Sequence, residues 1–400
     1  MTKLWDPYGT GNRPNPYPMY DRLREVAPVY RSQSGDIVVT GYQEVKTVLL
    51  DHETYRVGNR YEWIERQVRY LENREEDLTA IMAAMNSFLV QMNGHSHKTT
   101  RALIVDAWDN KQVNHIIKNN IDDLLSEVDG EFDLIQDFAA PLPVMTMANI
   151  MGMPLKDYQF LKNQTSNLIF SLDMYTSFKT LVRINEAAQA LIGYFNDYIT
   201  YRIKNPSDDL TSKIIALANQ RDLGLTNDTL ISICIFLFMA GEETTINLIG
   251  TGAHNLMLNR DQLEKILNSD QTFDDAIDEA LRFESPVHLA GRIANSDSTL
   301  AGIEVKKSDT LTLCIGAANR DPRQYPSPHL FDIGRKAKNH IAFGAGLHFC
   351  LGSWLARIQW KIAIKELFNR FQNLDIQSEP EWNPMLSIRG LKSLPVTTNQ

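Results

Sequence analysis

The sequence predicts a mostly helical α+β protein that forms a single large domain over its 400 residues. Three observations support this fold class. Long stretches have helical periodicity, strand-like pieces are short and confined to a few places, and no repeat, low-complexity tract or clean linker divides the chain. We expect the helix-rich core at about 100–285 and 340–372 and the β-rich parts at about 29–40, 287–315 and 375–400.

Composition describes an ordinary globular protein with ample material for a core. Of its residues, 43% are hydrophobic and 22% are charged, and the net charge is −9. An acidic chain does not favour nucleic acid or an anionic membrane as a partner. The 3 cysteines lie far apart, which argues against a disulfide framework and for a reducing compartment. The N-terminus has no apolar leader, and no run reaches the ~18 apolar residues of a membrane span, so we expect a cytoplasmic protein.

The first hundred or so residues predict helices around a small hairpin. Helices are expected at 20–26 and 42–51, and Ser34-Gly35 before the apolar stretch 36–40 is typical of a hairpin. The segment 58–93 is rich in charges and helix formers but has no clear pattern.

A further helix is expected to begin at Gly94, and it carries two cationic side chains on one face. His97 and Arg101 are four residues apart, which places them side by side on a helix. Such a pair suits an anionic group of a ligand, or it forms an ordinary solvated face.

The longest helical candidate covers 226–259. It follows a nearly all-helical stretch, 113–204, that is broken near 141–143 and 152–154. At 1.5 Å per residue the long helix would span roughly 50 Å. Its middle reads Ala240-Gly241-Glu242-Glu243-Thr244-Thr245. Small residues, carboxylates and hydroxyls fit the centre of a buried helix poorly, so this segment is either a kink or a functional site.

The next helix, 273–283, carries Glu279 and Arg282 three residues apart. They share a face and could form a fork-shaped ion pair, although most pairs at this spacing lie on the surface. Beyond Ser285-Pro286, strand-like pieces follow with a hairpin around Gly302 and 307–309, and then a proline-rich meander.

The stretch Phe343-Gly344-Ala345-Gly346-Leu347-His348-Phe349-Cys350-Leu351-Gly352 ends the meander. Its glycines let a backbone approach a large flat group without obstruction. Cys350 directly precedes an amphipathic helical run, and the positive end of a helix favours the thiolate over the thiol. A thiolate in this place is either a nucleophile or a metal ligand.

Taken together and in this order, these segments resemble the cytochrome P450 family of haem-thiolate monooxygenases, soluble bacterial type. The resemblance runs from about Arg31 to the C-terminus. It implies haem b as cofactor and O2 as co-substrate, with Cys350 as the axial ligand of the iron and the long helix over the haem. It also implies a structural triad of Glu279, Arg282 and Arg335.

The resemblance further implies which residues hold the haem. His97, Arg101, Arg292 and His348 match the positions that in the family hold the two haem propionates. Carboxylates need cationic partners if they are buried, and these side chains supply them. The full set of implied cofactor-binding residues is His97, Arg101, Ala240, Gly241, Arg292, Phe343, Gly344, His348, Cys350 and Gly352. The other cysteines, Cys234 and Cys314, are expected to be buried structural thiols.

Proton delivery is implied for Glu243 and Thr244 in the long helix. Splitting oxygen needs two protons in a dry pocket, so the carboxylate would bring protons in and the hydroxyl would orient a water. Glu242 stands where related bacterial sequences often have histidine. We assign Glu243 as the acid because it directly precedes Thr244.

The implied reaction is the hydroxylation or epoxidation of a hydrophobic small molecule, in bacterial secondary metabolism or catabolism. Alternatives are P450-type oxidative coupling, peroxide-driven oxidation and, in a different class, a non-catalytic haem sensor or electron carrier. His288 is either a satisfied core histidine or a polar substrate contact. The residues expected by position to line the pocket are Phe238, Met239, Val287, His288, Leu289, Ala290, Leu386 and Ile388, and 389–396 resembles the hairpin that closes it.

A basic stretch surrounds the cysteine loop. Between Ile333 and Lys365 there is no Asp or Glu, but the stretch contains Arg335, Lys336, Lys338, Arg357, Lys361 and Lys365. A basic surface on an acidic protein suits an acidic electron carrier, so a ferredoxin or flavodoxin is expected to dock near Arg357, Lys361 and Lys365. The alternative is a chance basic helix face. The protein is expected to act as a monomer, on a substrate that is free or tethered to a carrier protein.

Overall fold

The computed structural model describes residues 4–7, 9–32, 35–58, 78–174, 178–269 and 272–398. Contacts between Cα atoms divide the chain into two compact units. Unit 1 combines Met1–Gly58, Ile121–Ala140 and Thr244–Gln400, and unit 2 combines Asn59–Asn120 and Pro141–Glu243. The predicted mostly helical α+β class is confirmed. Much of the segment 58–93 lies outside the described residues.

Helices make up most of the described chain. The α-helices are Tyr17–Val26, Tyr42–Leu50, Thr79–Met85, Gly94–Ala107, Val113–Ser126, Pro141–Met151, Tyr158–Leu168, Phe178–Lys204, Leu210–Gln220, Asn227–Leu258, Arg260–Leu267, Thr272–Phe283, Ile315–Ala318 and Ser353–Arg370. A π-helix covers Leu134–Ala139. Short 3-10 turns occupy Thr10–Asn12, Leu89–Gln91, Leu155–Asp157, Ile169–Leu172, Ile333–Arg335 and Gly346–His348.

Both predicted helix breaks lie at helix boundaries. Gly152 adopts a left-handed φ of 75° directly after the Pro141–Met151 helix, and this backbone region favours glycine. The expected break near 141–143 coincides with the boundary between the Leu134–Ala139 π-helix and the Pro141–Met151 helix, and Pro141 and Pro143 lie in the first turn of the latter. Proline is tolerated there, since first-turn N–H groups have no helical acceptor.

Strands, by contrast, occur only in unit 1 among the described residues. A mixed five-stranded sheet has the order Val29–Arg31, Ile37–Val39, Thr310–Cys314, Leu289–Ala294, Tyr55–Val57. Ile37–Val39 runs parallel to Thr310–Cys314, and the other neighbours are antiparallel. The smaller sheets pair Ser298–Leu300 with Ile303–Val305, Glu381–Trp382 with Leu391–Ser393, and Pro395–Thr398 with both Glu131–Asp133 and Leu374–Ile376. Tyr55–Val57 and Glu131–Asp133 lie outside the predicted β-rich parts.

Each unit has a buried core. In unit 1, apolar side chains of the five-stranded sheet pack against the Tyr42–Leu50 helix through Val45, Val48 and Leu49. In unit 2, the Phe178–Lys204 helix packs against Thr79–Met85 and Tyr158–Leu168.

The Asn227–Leu258 helix is continuous and strongly apolar. Among the described helices, it alone is long and apolar enough to cross a membrane, yet 67% of its most apolar window is buried inside the structure. Buried core helices of globular proteins have the same composition, so the length and composition of this helix do not by themselves indicate a membrane span.

Candidate functional site

The cysteine loop of unit 1 is fixed by its glycines and by one backbone bond. Gly344 and Gly346 have φ angles of 71° and 70°, in the left-handed region that favours glycine. A Cβ atom at Gly346 would also lie 2.8 Å from the carbonyl oxygen of Leu49. The Cys350 N–H donates to the Phe343 carbonyl oxygen at 2.9 Å, which closes the loop three residues before the Ser353–Arg370 helix.

Cys350 differs from the other two cysteines in its surroundings. Cys234 and Cys314 are buried, and burial raises the pKa of both thiols, that of Cys234 to about 12. Cys350 is half-buried. The apolar side chains of Leu347 and Phe349 beside it are 37% and 43% exposed. The loop therefore presents sulfur together with apolar surface, which fits a large apolar group that carries a metal.

The loop is reached through a meander that a buried ion pair holds in place. The Arg282 Nε and Nη2 atoms donate to the Glu279 carboxylate at 2.7 Å each, and both side chains are fully buried. Arg282 also donates to the carbonyls of Asn319 and Pro328. The Arg335 Nε lies 3.5 Å from Glu279 Oε1. The predicted triad thus lies together in unit 1, with Glu279 and Arg282 fully buried and Arg335 half-buried.

Arg292 is a buried cation in unit 1. It is 7% exposed on the Leu289–Ala294 strand, and its Nη1 donates to the Gly291 carbonyl at 2.8 Å. Among the described residues, no carboxylate forms an ion pair with it. Burial lowers the pKa of Arg292 to about 10, so the guanidinium stays charged at neutral pH. A buried charge without a counter-ion is costly, and an anionic group of a cofactor would relieve that cost.

In unit 2, the Gly94–Ala107 helix carries His97 and Arg101. His97 is 2% exposed, so the interpretation of both residues as a solvated face is wrong for His97. Burial, and then the charge of Arg101, lowers the pKa of His97, which is therefore neutral at neutral pH and able to donate from one ring nitrogen. Arg101 is half-buried.

The two adjacent carboxylates of the long helix have different environments in unit 2. Glu242 is 1% exposed, and burial raises its pKa well above the ordinary value, although a hydrogen bond with Thr165 opposes this. Glu243 is half-buried. Burial therefore favours the protonated, neutral form of Glu242.

Gly241 makes room for a neighbour within its own unit. A Cβ atom there would lie 2.7 Å from the Met147 sulfur. Close packing with Met147 therefore accounts for this glycine, and its assignment to a cofactor site stays a prediction.

Two predicted pocket segments meet in unit 1. An isolated β-bridge pairs Val287 with Ile388, and the His288 N–H donates to the Ser387 carbonyl at 2.8 Å. Val287 and Ala290 are half-buried, whereas Leu289, Leu386 and Ile388 are each 4% exposed.

Three of the predicted pocket residues have no exposed surface, and their place in a pocket stays a prediction. Phe238 and Met239 have no exposed surface, and the Phe238 ring packs 6.5 Å from that of Phe195 in unit 2. His288 is fully buried as well. Its two ring nitrogens each lie 3.3 Å from a tyrosine hydroxyl, those of Tyr17 and Tyr20. The geometry favours the interpretation of His288 as a satisfied core histidine.

The basic stretch of the sequence has acidic side chains from another segment beside it in the structure. The Thr272–Phe283 helix supplies carboxylates to the Ser353–Arg370 helix: Asp278 pairs with Arg357, and Asp274 lies 3.7 Å from Lys361. Arg335 is engaged with Glu279. Sequence reasoning missed these acids because they lie in a segment about 60 to 90 residues earlier in the chain.

Known proteins match this chain over nearly its whole length. Residues 19–396 match the model of the family described as Cytochrome P450. The biotin biosynthesis cytochrome P450 of Bacillus subtilis is 34% identical over 393 residues, which cover 96% of each chain. The 6-deoxyerythronolide B hydroxylase of Saccharopolyspora erythraea is 30% identical, with 95% of each chain covered.

Solved structures are similar over the same extent. The crystal structure of P450BioI in complex with an acyl carrier protein ligated to hexadec-9Z-enoic acid has a TM-score of 0.88 and 32% identity, covering 97% of this chain and 100% of that one. The structure of CYP109E1 from Bacillus megaterium with testosterone has a TM-score of 0.85 and 29% identity, covering 98% and 100%.

Proposed function

The chain belongs to the cytochrome P450 family, and from this premise we propose that it oxidises a hydrophobic small molecule with O2 and two electrons from a redox protein. The family uses haem b. Bound haem supplies an iron centre at which O2 is reduced and one oxygen atom is transferred to a substrate. We assign Cys350 as the ligand of that iron. A cytoplasmic location is part of the proposal, because the chain has few cysteines and its relatives are bacterial.

The observation that carries the proposal is that unit 1 contains both the cysteine loop and a buried cation. Cys350 follows a glycine loop with exposed apolar flanks, and Arg292 is a buried guanidinium with no carboxylate partner among the described residues. A flat apolar cofactor that carries carboxylates would cover the exposed apolar side chains of the loop and give the Arg292 guanidinium a counter-ion. Arg292 and His348 are the proposed partners of the propionates in unit 1, and the assignment of His97 and Arg101 stays a prediction.

Proton delivery is assigned to Glu243 and Thr244, which are consecutive residues of the Asn227–Leu258 helix. Glu243 is half-buried, so its carboxylate can exchange protons with water, and the Thr244 hydroxyl can hold a water for the next transfer. This acid and alcohol favour the O2-dependent reaction over peroxide-driven oxidation and over a haem sensor, neither of which needs them.

A long acyl chain is the proposed substrate class. P450BioI, with 32% identity, is known in complex with an acyl carrier protein that carries hexadec-9Z-enoic acid, which supports a carrier-tethered chain as the form recognised. Haem-loaded protein should be titrated with this acid, free and attached to acyl carrier protein, while the Soret band is recorded. We expect a band shift with tighter binding of the tethered form, and an oxidised chain on turnover. The absence of a shift and of product with both forms would contradict this substrate class.

Replacing Arg292 with leucine should weaken haem binding without weakening the apoprotein. The buried charge costs desolvation free energy, so its removal leaves the apoprotein at least as stable. Loss of a charged hydrogen-bond donor to a propionate should speed haem release about tenfold. The measurement is the rate of haem transfer to apomyoglobin, beside urea titrations of both apoproteins. Arg31→Met is the control, because Arg31 lies on the same sheet in an exposed pair with Asp309. Unchanged haem release in Arg292→Leu would contradict the assignment.

A ferredoxin or flavodoxin is the proposed electron donor, and it would dock at the Ser353–Arg370 helix. Lys361 and Lys365 remain partly exposed on this helix. The Asp274 carboxylate, which partly offsets the charge of Lys361, lies 3.7 Å from the Lys361 Nζ. Reversing both lysines to glutamate should slow reduction by a ferredoxin about tenfold at low salt, because attraction to an acidic carrier becomes repulsion. Stopped-flow reduction kinetics measure this.

The matched control for that experiment is the Lys306→Glu, Lys307→Glu double variant. It makes the same change in net charge at two exposed positions after the Ile303–Val305 strand. Both double variants should bind substrate as the wild type does. Equal reduction rates for the two would show that the helix has no special part in docking.

A further inference from the structure

A buried acid–base cluster lies behind the cysteine loop in unit 1. It joins Asp278 of the Thr272–Phe283 helix, His340 before the loop and Arg357 of the Ser353–Arg370 helix. The Arg357 Nη2 lies 2.5 Å from Asp278 Oδ1, and the His340 Nε2 lies 3.3 Å from the same oxygen. The side chains of Asp278 and His340 are 6% and 3% exposed. One buried carboxylate thus contacts both a buried imidazole and a guanidinium whose side chain is 35% exposed.

The ring of His340 has a defined orientation and tautomer. The Ala342 N–H donates to His340 Nδ1 at 3.2 Å. A backbone donor needs an unprotonated acceptor, so the proton of the neutral imidazole is on Nε2, where it faces Asp278. Burial lowers the pKa of His340, so the ring is neutral at neutral pH. Burial alone would raise the pKa of Asp278, but the bonds from His340 and Arg357 hold it below the ordinary value.

Two members of the cluster touch the first residue of the loop. The Phe343 ring lies 5.8 Å from the His340 ring, and the Arg357 guanidinium carbon lies 5.4 Å from the Phe343 ring centre. Phe343 in turn accepts the Cys350 N–H at 2.9 Å through its carbonyl. A continuous set of contacts therefore runs from Asp278 to the backbone of Cys350.

We propose that Asp278, His340 and Arg357 are positioning residues that hold Phe343, and through it Cys350, in the geometry that keeps the sulfur a thiolate on the haem iron. This inference rests on the proposed function, because it takes Cys350 as the iron ligand. A loop released from the cluster would admit water to the sulfur and favour its protonation. The cluster acts through Phe343 and takes no part in proton delivery or substrate binding.

The test is the stability of thiolate ligation in Asp278→Asn. Haem-loaded protein is reduced with dithionite under carbon monoxide, and the loss of the thiolate-type Soret band is followed in mild urea. We expect loss about tenfold faster than in the wild type, the usual scale for residues that support a metal ligand. The matched control is Asp274→Asn, the same change one helical turn earlier, at a side chain that is 77% exposed. It should behave as the wild type does.

The reduction potential of the haem iron distinguishes a positioning effect of the cluster from a direct effect of its charges on the iron. Asp278→Asn and Arg357→Met change the local charge in opposite directions, but both release Phe343. We therefore expect their potentials to shift in the same direction, and opposite shifts would overturn the proposal. In a Phe343→Leu background, Asp278→Asn should add no further effect on band loss, because the ring that the cluster holds is gone.

The outcomes also distinguish this inference from the proposed function. If the wild type lacks the thiolate-type band, the assignment of Cys350 fails. If the wild type has the band and Asp278→Asn loses it no faster, this inference alone is overturned. Should Asp278→Asn fail to fold, His340→Asn replaces it, because it keeps a neutral polar group and removes only the ring beside Phe343; it should speed band loss too, and unchanged loss would overturn the proposal.

Discussion

Replacing Glu279 with glutamine is expected to lower the free energy of unfolding by about 3 to 5 kcal/mol. The carboxylate accepts from Arg282 Nε and Nη2 at 2.7 Å each, and neither side chain is exposed. The glutamine amide carries no charge, so the buried Arg282 guanidinium loses its counter-ion. The NH2 group of that amide would also face the N–H donors of Arg282. Because whole domains are stable by only about 5 to 15 kcal/mol, the loss should be visible in a urea titration followed by circular dichroism.

The same substitution should also lower haem content. The Glu279 carboxylate accepts from the Asp332 N–H at 2.9 Å, so it holds the meander that leads into the cysteine loop. Asp261→Asn is the control, because it removes a carboxylate from an exposed pair with Lys265 on the neighbouring Arg260–Leu267 helix. That variant should unfold at the wild-type urea concentration. A Glu279→Gln protein with wild-type stability would show that the pair does not hold the meander.

Replacing Glu243 with glutamine is expected to lower product formation about 100-fold while substrate binding stays unchanged. The amide cannot pass protons from water to the Thr244 hydroxyl, so reducing equivalents should be consumed without oxidised product. The measurement is product formed per electron delivered, together with the solvent deuterium isotope effect on turnover.

Glu242→Gln is the matched control, since it makes the same change at the adjacent residue. Glu242 is 1% exposed, and burial raises its pKa, so glutamine resembles the neutral form that burial favours. It should therefore turn over almost as the wild type does. If Glu242→Gln loses product formation and Glu243→Gln keeps it, the assignment of the proton-delivering acid is reversed.

Local patterns predicted most of the elements that surround the site. The helices Tyr42–Leu50, Asn227–Leu258 and Thr272–Phe283 begin and end within about two residues of their predicted bounds, and Gly94–Ala107 begins where it was predicted to begin, because periodicity and caps are properties of neighbouring residues. The Glu279–Arg282 pair follows from its i,i+3 spacing, although its burial does not, since spacing says nothing about what covers a helix face.

Contacts between distant segments could not be predicted in this way. Asp278 and Arg357 are separated by 79 residues, so a stretch free of acids in the sequence is not free of them in space. The pocket assignments of Phe238 and Met239 relied on chain position alone, and both residues are fully buried. Gly241 fits Met147, a partner that no pattern around Gly241 could indicate.

The central claim is that Cys350 is the thiolate ligand of a haem iron, and the reduced carbon-monoxide difference spectrum tests it most directly. Haem-replete, folded protein should show the strongly red-shifted Soret band that a thiolate opposite carbon monoxide produces, and Cys350→His should lose that band while retaining haem. A wild-type spectrum with the band of a histidine-ligated haem, recorded on folded and haem-replete protein, would contradict the account.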